Sequence, residues 1–153
     1  MNDTPSSIVC RPARCEDTSP CAAIVNRWID DTHWMPRIRY HGDVQRYYRT
    51  VFAECDVSIA EYKGTLAAFM ALSEDHYVTA LYAVRRMRGK GCGKALLDLA
   101  KEKHPDGLKL WTFLANQGAR RFYLREGFAE VCRTNGDNEE GLPDILLEWT
   151  PGS

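Results

Sequence analysis

Apolar positions along the chain recur at two periods, and the switch between them marks the elements. Ile8-Val9-Cys10-Arg11-Pro12-Ala13-Arg14 reads as a short first strand running into a proline-marked turn. Ser19-Pro20 then supplies a helix cap and first position, with Ile24, Val25, Trp28 and Ile29 as the stripe of a first helix ending near Asp31. Asp43 is expected to cap a second helix whose Val44, Tyr47, Tyr48, Val51 and Phe52 face inward. The loop between these helices, Thr32 to His41, is rich in aromatics and cations, a composition that tends to line sites. Val57–Tyr62 and Thr65–Leu72 read as strands joined by the short hairpin connection Lys63-Gly64, and Tyr77–Val84 has the β-branched, aromatic profile of a buried strand. Cys92, Leu96, Leu99, Ala100 and Lys103 share one face of a third helix, which ends at His104-Pro105. Leu108–Leu114 is apolar on both faces and is therefore expected in a sheet interior. Asn116–Glu126 is a fourth helix with Ala119, Phe122 and Tyr123 on one face and Gly127 as its stop. Phe128–Arg133 and Pro143–Trp149 complete the strands, separated by a polar loop, 134–141.

The implied order, β-α-α-β-β-β-α-β-α-β-β, is an α/β arrangement with a mixed sheet flanked by helices. A chain of 153 residues suits a single domain spanning 1–153, and no repeat or linker interrupts it. Twenty basic against twenty-one acidic residues leave a net charge of −1, so partners must be recognised by local patches. That balance argues against nucleic acid, and the absence of a long apolar run argues against a membrane span. Met1-Asn2-Asp3-Thr4-Pro5 lacks the features of a secretory signal, which makes the cytoplasm the default compartment. Six scattered cysteines without a C-x-x-C pair are expected to be small core residues, neither metal ligands nor disulfides.

The chemistry concentrates in Arg88-Gly89-Lys90-Gly91-Cys92-Gly93-Lys94, where three glycines alternate with polar residues just ahead of the third helix. Backbone N–H groups at a helix start lack intrahelical partners and meet the positive end of the macrodipole, so an anion can be cradled there. Glycine lets the backbone approach closely and adopt positive φ, and Arg85, Arg86, Arg88, Lys90 and Lys94 add attraction. A nucleoside-triphosphate loop is excluded because Arg88 stands where its first glycine belongs and Ala95 where its hydroxyl belongs. A dinucleotide fingerprint fails because Lys94 occupies its third glycine position. Cys92, at this helix start beside cations, is either a thiol of depressed pKa or a packing residue.

Arg88-Gly89-Lys90-Gly91-Cys92-Gly93, followed a strand and a helix later by Asn116, Tyr123 and Gly127-Phe128, resembles the signature of the GCN5-related N-acetyltransferases (the GNAT superfamily). The resemblance covers nearly the whole chain. It implies a splayed sheet, acetyl-coenzyme A as co-substrate without a metal, and direct attack by the amine of a small molecule or peptide in a ternary complex. A homodimer is compatible with it. Arg88 to Lys94 (Arg88, Gly89, Lys90, Gly91, Cys92, Gly93, Lys94) would hold the coenzyme's phosphates. Tyr82, Ala83 and Val84 would bond the pantetheine arm through unpaired backbone groups, Asn116 would contact it, and one of Arg120 and Arg121 would reach the phosphates. Tyr123 would be the general acid that protonates the departing thiolate. The base stays open among Glu74, Asp75, His76, Glu139, Glu140, Asp144 and water, with His33 and His41 also candidates. Thr79 and Ala80 stand where many relatives carry a strand carboxylate. The rival reading is a non-catalytic acyl-coenzyme-A sensor.

Overall fold

A computed structural model describes residues 7–152. Its elements are β1 (Ile8–Pro12), α1 (Thr18–Asp31), α2 (His41–Glu54), β2 (Asp56–Tyr62), β3 (Thr65–Leu72), β4 (Val78–Ala83), α3 (Cys92–Lys103), β5 (Leu108–Phe113), α4 (Gln117–Arg125), β6 (Ala129–Thr134) and β7 (Asp144–Trp149). Short 3-10 turns at Cys15–Asp17 and Arg85–Met87 lead into α1 and away from β4. Lys63 and Gly64 both have positive φ, 50° and 83°, the backbone a tight hairpin between twisted strands demands, and they set β2 antiparallel to β3.

The strands form two sheets, β1-β2-β3-β4 and β5-β7-β6, every ladder within them antiparallel. Between the sheets, β4 and β5 run parallel and meet at one bridge, Tyr77 with Lys109, where the Lys109 N–H donates to the His76 carbonyl at 3.0 Å. Beyond that rung the strands part. This is the splayed α/β sheet the patterning and the resemblance lead one to expect.

Two clusters cover opposite faces of β3. On one, Met70 and Leu72 meet Leu96, Leu97 and Ala100 of α3 and Leu110, Ile145 and Leu147 of the second sheet. On the other, Phe69 and Ala71 meet Cys21, Ala22 and Val25 of α1 and Val44, Tyr48 and Val51 of α2. The alternation follows from the strand's period of two.

Several local expectations are corrected. Helix α1 starts at Thr18, placing Pro20 inside its first turn, and Asp17 occupies the N-cap position. The Asp17 carboxylate is occupied elsewhere: it accepts from Arg11 at 2.8 and 3.0 Å and from the Arg14 N–H at 2.7 Å. Arg11 also donates to Glu61 at 3.0 Å, tying the β1 exit to β2. Helix α2 starts at His41, so Asp43 lies at its third position and accepts the Tyr40 N–H at 3.3 Å, the back-reaching half of a capping box. Tyr47 is 59% exposed and not inward, because the stripe closes through Val44, Tyr48 and Val51. Strand β5 is an edge strand of its sheet, not an interior one, and Trp111 is 45% exposed.

Candidate active site

The parting of β4 from β5 opens a cavity of about 1200 Å³ that runs to the start of α3 and along α4. Its walls come from Leu81, Tyr82 and Ala83 of β4, from Leu110 and Phe113 of β5, and from Asn116, Phe122 and Tyr123. The glycine loop contributes Arg88, Gly89, Gly91, Cys92, Gly93 and Lys94. Most of the residues singled out from sequence therefore share one cavity; Val84 and Lys90 are not among its walls. The Lys90 ammonium lies 5.6 Å over the Tyr62 ring instead.

Gly89 and Gly91 have φ of 79° and 92°, the left-handed region that costs an L side chain strain. Gly91 is the N-cap of α3, and its carbonyl accepts the first helical bond from Ala95 at 3.0 Å, leaving the N–H groups of Cys92, Gly93 and Lys94 without intrahelical acceptors. Alternating left-handed residues thus aim successive N–H groups into one concavity, an anion nest at a helix start. The glycines serve this conformation more than they clear space. A β-carbon on Gly91 would face the Ile8 side chain at 3.5 Å, one on Gly89 would meet nothing within 4 Å, and one on Gly93 would touch Phe122 at 3.6 Å. Lys94 is held beside the loop by Asp98 at 2.9 Å and Glu126 at 3.7 Å, and the Asp98 bond above all raises its pKa.

Cys92 is 2% exposed, and burial pushes its thiol up. The packing role stands and the depressed, reactive thiol does not, because desolvation opposes the thiolate.

Strand β4 corrects the expectation for the pantetheine contacts. The Val84 N–H donates to the Ala67 carbonyl at 2.8 Å, so it is not free. Along the antiparallel register with β3, bonded and non-bonded pairs alternate, which turns the backbone of Tyr82 toward Phe69 and that of Leu81 and Ala83 away from β3, to the β5 side. Leu81 and Ala83 therefore offer the open edge; strand parity of this kind is invisible until the register is known. The register slips at Ala71/Leu72, leaving Thr79 as the extra residue of a bulge, and its hydroxyl donates to the Ala71 carbonyl at 3.2 Å.

At the opposite wall, Asn116 caps α4, its Oδ1 accepting the Ala119 N–H at 3.1 Å. Arg120 donates to the Leu114 carbonyl at 3.1 Å, a staple from α4 to the end of β5, and neither it nor Arg121 lines the cavity. Tyr123, 8% exposed, packs edge-on against Phe122 and Phe128 at 5.1 and 5.5 Å. Its hydroxyl has no hydrogen-bond partner among the described residues. Burial, reinforced by Tyr82, raises its pKa, so the phenol stays protonated across the neutral range.

The far end of the cavity is aromatic. Tyr82 stacks on Phe69 at 5.9 Å and meets Trp28 edge-on at 5.6 Å; Trp28 meets Trp34 at 5.8 Å, and Trp34 meets Phe113 at 5.9 Å. Trp28 looked like an ordinary stripe residue of α1, and nothing in its spacing signalled the cleft. Among the candidates for a base, Asp144 is held by Thr134 and by Asn138 at 3.1 Å, Glu139 by Arg39, and Asp75 by Ser73. His76 sits at the joined end of the strands with its ring 4.5 Å from that of His104, and the His41 ring bonds Asp30 at 2.8 Å. Among the described residues, no cluster of three metal-ligating side chains occurs and no helix is long and apolar enough to cross a membrane.

Comparison with known proteins agrees with this geometry. The model of the acetyltransferase (GNAT) family matches residues 21–128. The chain is 27% identical over 135 residues to the peptidyl-lysine N-acetyltransferase YiaC of Escherichia coli (strain K12), covering 86% of this chain and 91% of that protein. It is 29% identical over 138 residues to the peptidyl-lysine N-acetyltransferase YjaB of the same organism, covering 90% and 92%. The solution structure of apo-form YjaB from Escherichia coli superposes with a TM-score of 0.76 at 26% identity, over 93% of this chain and 97% of that one. An anion nest at a helix start, an open strand edge and a buried phenol around one cleft suit a thioester carried on a long phosphorylated arm, and the chain belongs to the GNAT family of acetyl-coenzyme-A-dependent acetyltransferases.

Proposed function

We propose that the chain transfers the acetyl group of acetyl-coenzyme A to the side-chain amine of a lysine in a protein or peptide. The observation that carries the catalytic assignment is Tyr123: 8% exposed, its hydroxyl without a protein partner among the described residues, and in the wall of the same cavity as the glycine loop. A hydroxyl with no protein partner in a cleft wall is free to bond a ligand that enters the cleft. The preference for lysine rests on YiaC and YjaB, both peptidyl-lysine N-acetyltransferases.

Acetyl-coenzyme A supplies the activated thioester. Around it, the N–H groups of Cys92, Gly93 and Lys94 bind phosphate oxygens, while the free edge of Leu81 and Ala83 binds the amide-rich arm as an added strand. Asn116 orients the start of α4, and with it the helix that carries Tyr123. The neutral amine bonds to the thioester carbon and gives up a proton to water; Tyr123 donates its proton to the sulfur as the carbon–sulfur bond breaks and regains one from solvent after the thiol leaves. A thiol titrates near 8.5 in water and a phenol near 10, so the transfer is modestly uphill there; burial disfavours the bare thiolate as it does the phenolate.

Incubation with acetyl-coenzyme A and lysine-containing peptides tests the reading, with free thiol and acetyl-lysine quantified together. Equal amounts of both products above the background without enzyme are expected. Saturating coenzyme A should also raise the melting temperature, since a hundredfold excess over Kd contributes ~2.7 kcal/mol. Thermal stabilisation without acetylation of any amine would instead favour a coenzyme sensor, and no stabilisation at all would remove the glycine loop as the anchor.

A further inference from the structure

Two imidazoles stand side by side at the joined end of the sheets, and neither walls the cleft. His76 lies in the turn that enters β4, and His104 caps the C-terminus of α3, in the turn that enters β5. Their ring centres are 4.5 Å apart with the planes tilted by 51°. His76 is exposed and His104 half-buried, and neither ring has a hydrogen bond or ion pair among the described residues.

The backbone beneath each ring is held on both sides. The His76 N–H donates to the Ser73 carbonyl at 3.2 Å, and its carbonyl accepts the Lys109 N–H at 3.0 Å. The His104 N–H donates to the Ala100 carbonyl at 2.9 Å, and its carbonyl accepts the Gly107 N–H at 3.1 Å. Two ligands presented from fixed backbone lose little freedom on meeting an ion, so together they bind it more tightly than two separate imidazoles would. An imidazole nitrogen sits ~2.0–2.1 Å from Zn²⁺, which puts the ring centre ~3.2 Å from the ion. Two rings on one ion, at about 90° to 109° from each other, then have centres roughly 4.5–5.2 Å apart. The observed spacing is that of adjacent positions in square or octahedral coordination, which Ni²⁺ and Cu²⁺ favour. The same two turns carry Glu74, Asp75 and Asp106 against Lys109, an excess of carboxylates that attracts a cation.

We infer that His76 and His104 form a bidentate site for a divalent transition-metal ion, with water completing its coordination, and that the ion clamps the pivot between the sheets. The ion takes no part in acetyl transfer. It ties the turn before β4 to the turn before β5, beside the rung in which the Lys109 N–H meets the His76 carbonyl. Opening that parts the two turns must expel the ion, so an ion at about ten times its Kd makes such opening ~10-fold rarer.

Calorimetric titration of the tag-free protein with NiCl₂ should show one ion per chain, and MgCl₂ should show none at the same concentrations. Asn is at ease in the left-handed region, where His76 has a φ of 71°. His76→Asn and His104→Gln should each weaken Ni²⁺ binding at least ~10-fold, and the double variant should lose far less than the product of the two, since either change alone breaks the chelate. In hydrogen exchange followed by NMR, diamagnetic Zn²⁺ at about ten times its Kd should slow exchange of the Lys109 amide ~10-fold in the wild type and in neither variant. Binding that survives both substitutions would place the ion elsewhere, at exposed thiols such as Cys15 and Cys132, and overturn the inference. A loss confined to one of the two histidines overturns it too, as does a wild-type Lys109 amide indifferent to the ion. The wild-type exchange result decides the clamp even if a variant fails to fold, and no readout needs turnover, so the proposed function is decided separately.

Discussion

Removing one oxygen from Tyr123 separates catalysis from stability. Tyr123→Phe keeps the ring against Phe122 and Phe128, so the edge-on packing at 5.1 and 5.5 Å survives. The hydroxyl it removes has no protein hydrogen bond among the described residues and faces a cavity of about 1200 Å³ that water can enter, so stability should stay within ~1 kcal/mol of the wild type. For a chain of this size that limits the change in Tm to roughly 2–4 °C. General acid catalysis is worth ~10²- to 10⁴-fold, so kcat should fall at least ~10-fold, with coenzyme A affinity within a few-fold. The assays are a thermal melt of the free protein and thiol release under saturating substrates. Wild-type kcat in the folded variant would refute the acid role. A loss of stability beyond ~1 kcal/mol would show instead that the hydroxyl is bonded in the free protein. Because the phenol's pKa is raised by burial, the wild type should also show no loss of this proton donor below pH ~10.

Gly89→Ala tests the loop by conformation alone: at φ of 79° with nothing within 4 Å of the new methyl, the cost is the left-handed backbone, ~1–2 kcal/mol. Coenzyme A affinity measured by calorimetry should fall ~5- to 30-fold, whereas Gly42→Ala, inside α2, should leave it unchanged. Asp17→Asn should lower stability by ~1–3 kcal/mol in chemical denaturation, because it removes charged partners of Arg11, which keeps Glu61. The Arg11 hydrogen bonds hold the Asp17 carboxyl below its ordinary value, so its contribution is complete above pH ~4 and disappears as pH falls through the lowered folded value. The variant's stability should accordingly be flatter than the wild type's below pH 4.

The periodic stripes located the helices because burial of one face is what a 3.6-residue period encodes, and Cys92, Leu96 and Ala100 are indeed buried on α3. Glycine spacing located the left-handed turns ahead of α3 for a related reason: positive φ at Gly89 and Gly91 is a local demand, readable locally. What stayed hidden depends on partners distant in sequence. The Ser19-Pro20 and Asp43 caps were misplaced by a few residues because Asp17 is claimed by Arg11, and Asp43 works from the third helical position. Which strand-edge amides are free was fixed by the β3–β4 register, and that Trp28 belongs to the cleft depends on how α1 lies against β4.

The single rung between Tyr77 and Lys109 makes the two sheets a pair of tongs, pivoted at one end. Tyr77 to Ala83 spans about 20 Å at the rise of an extended strand. A tilt of about 5° at the pivot therefore moves the tips by roughly 1.7 Å, half the step between successive residues of a strand. Substitutions around His76, Tyr77 and Lys109, which touch neither the nest nor Tyr123, are thus levered into changes of gap width where the thioester and amine must meet. The pivot thus bears on gap width from residues that lie outside the glycine loop and outside α4.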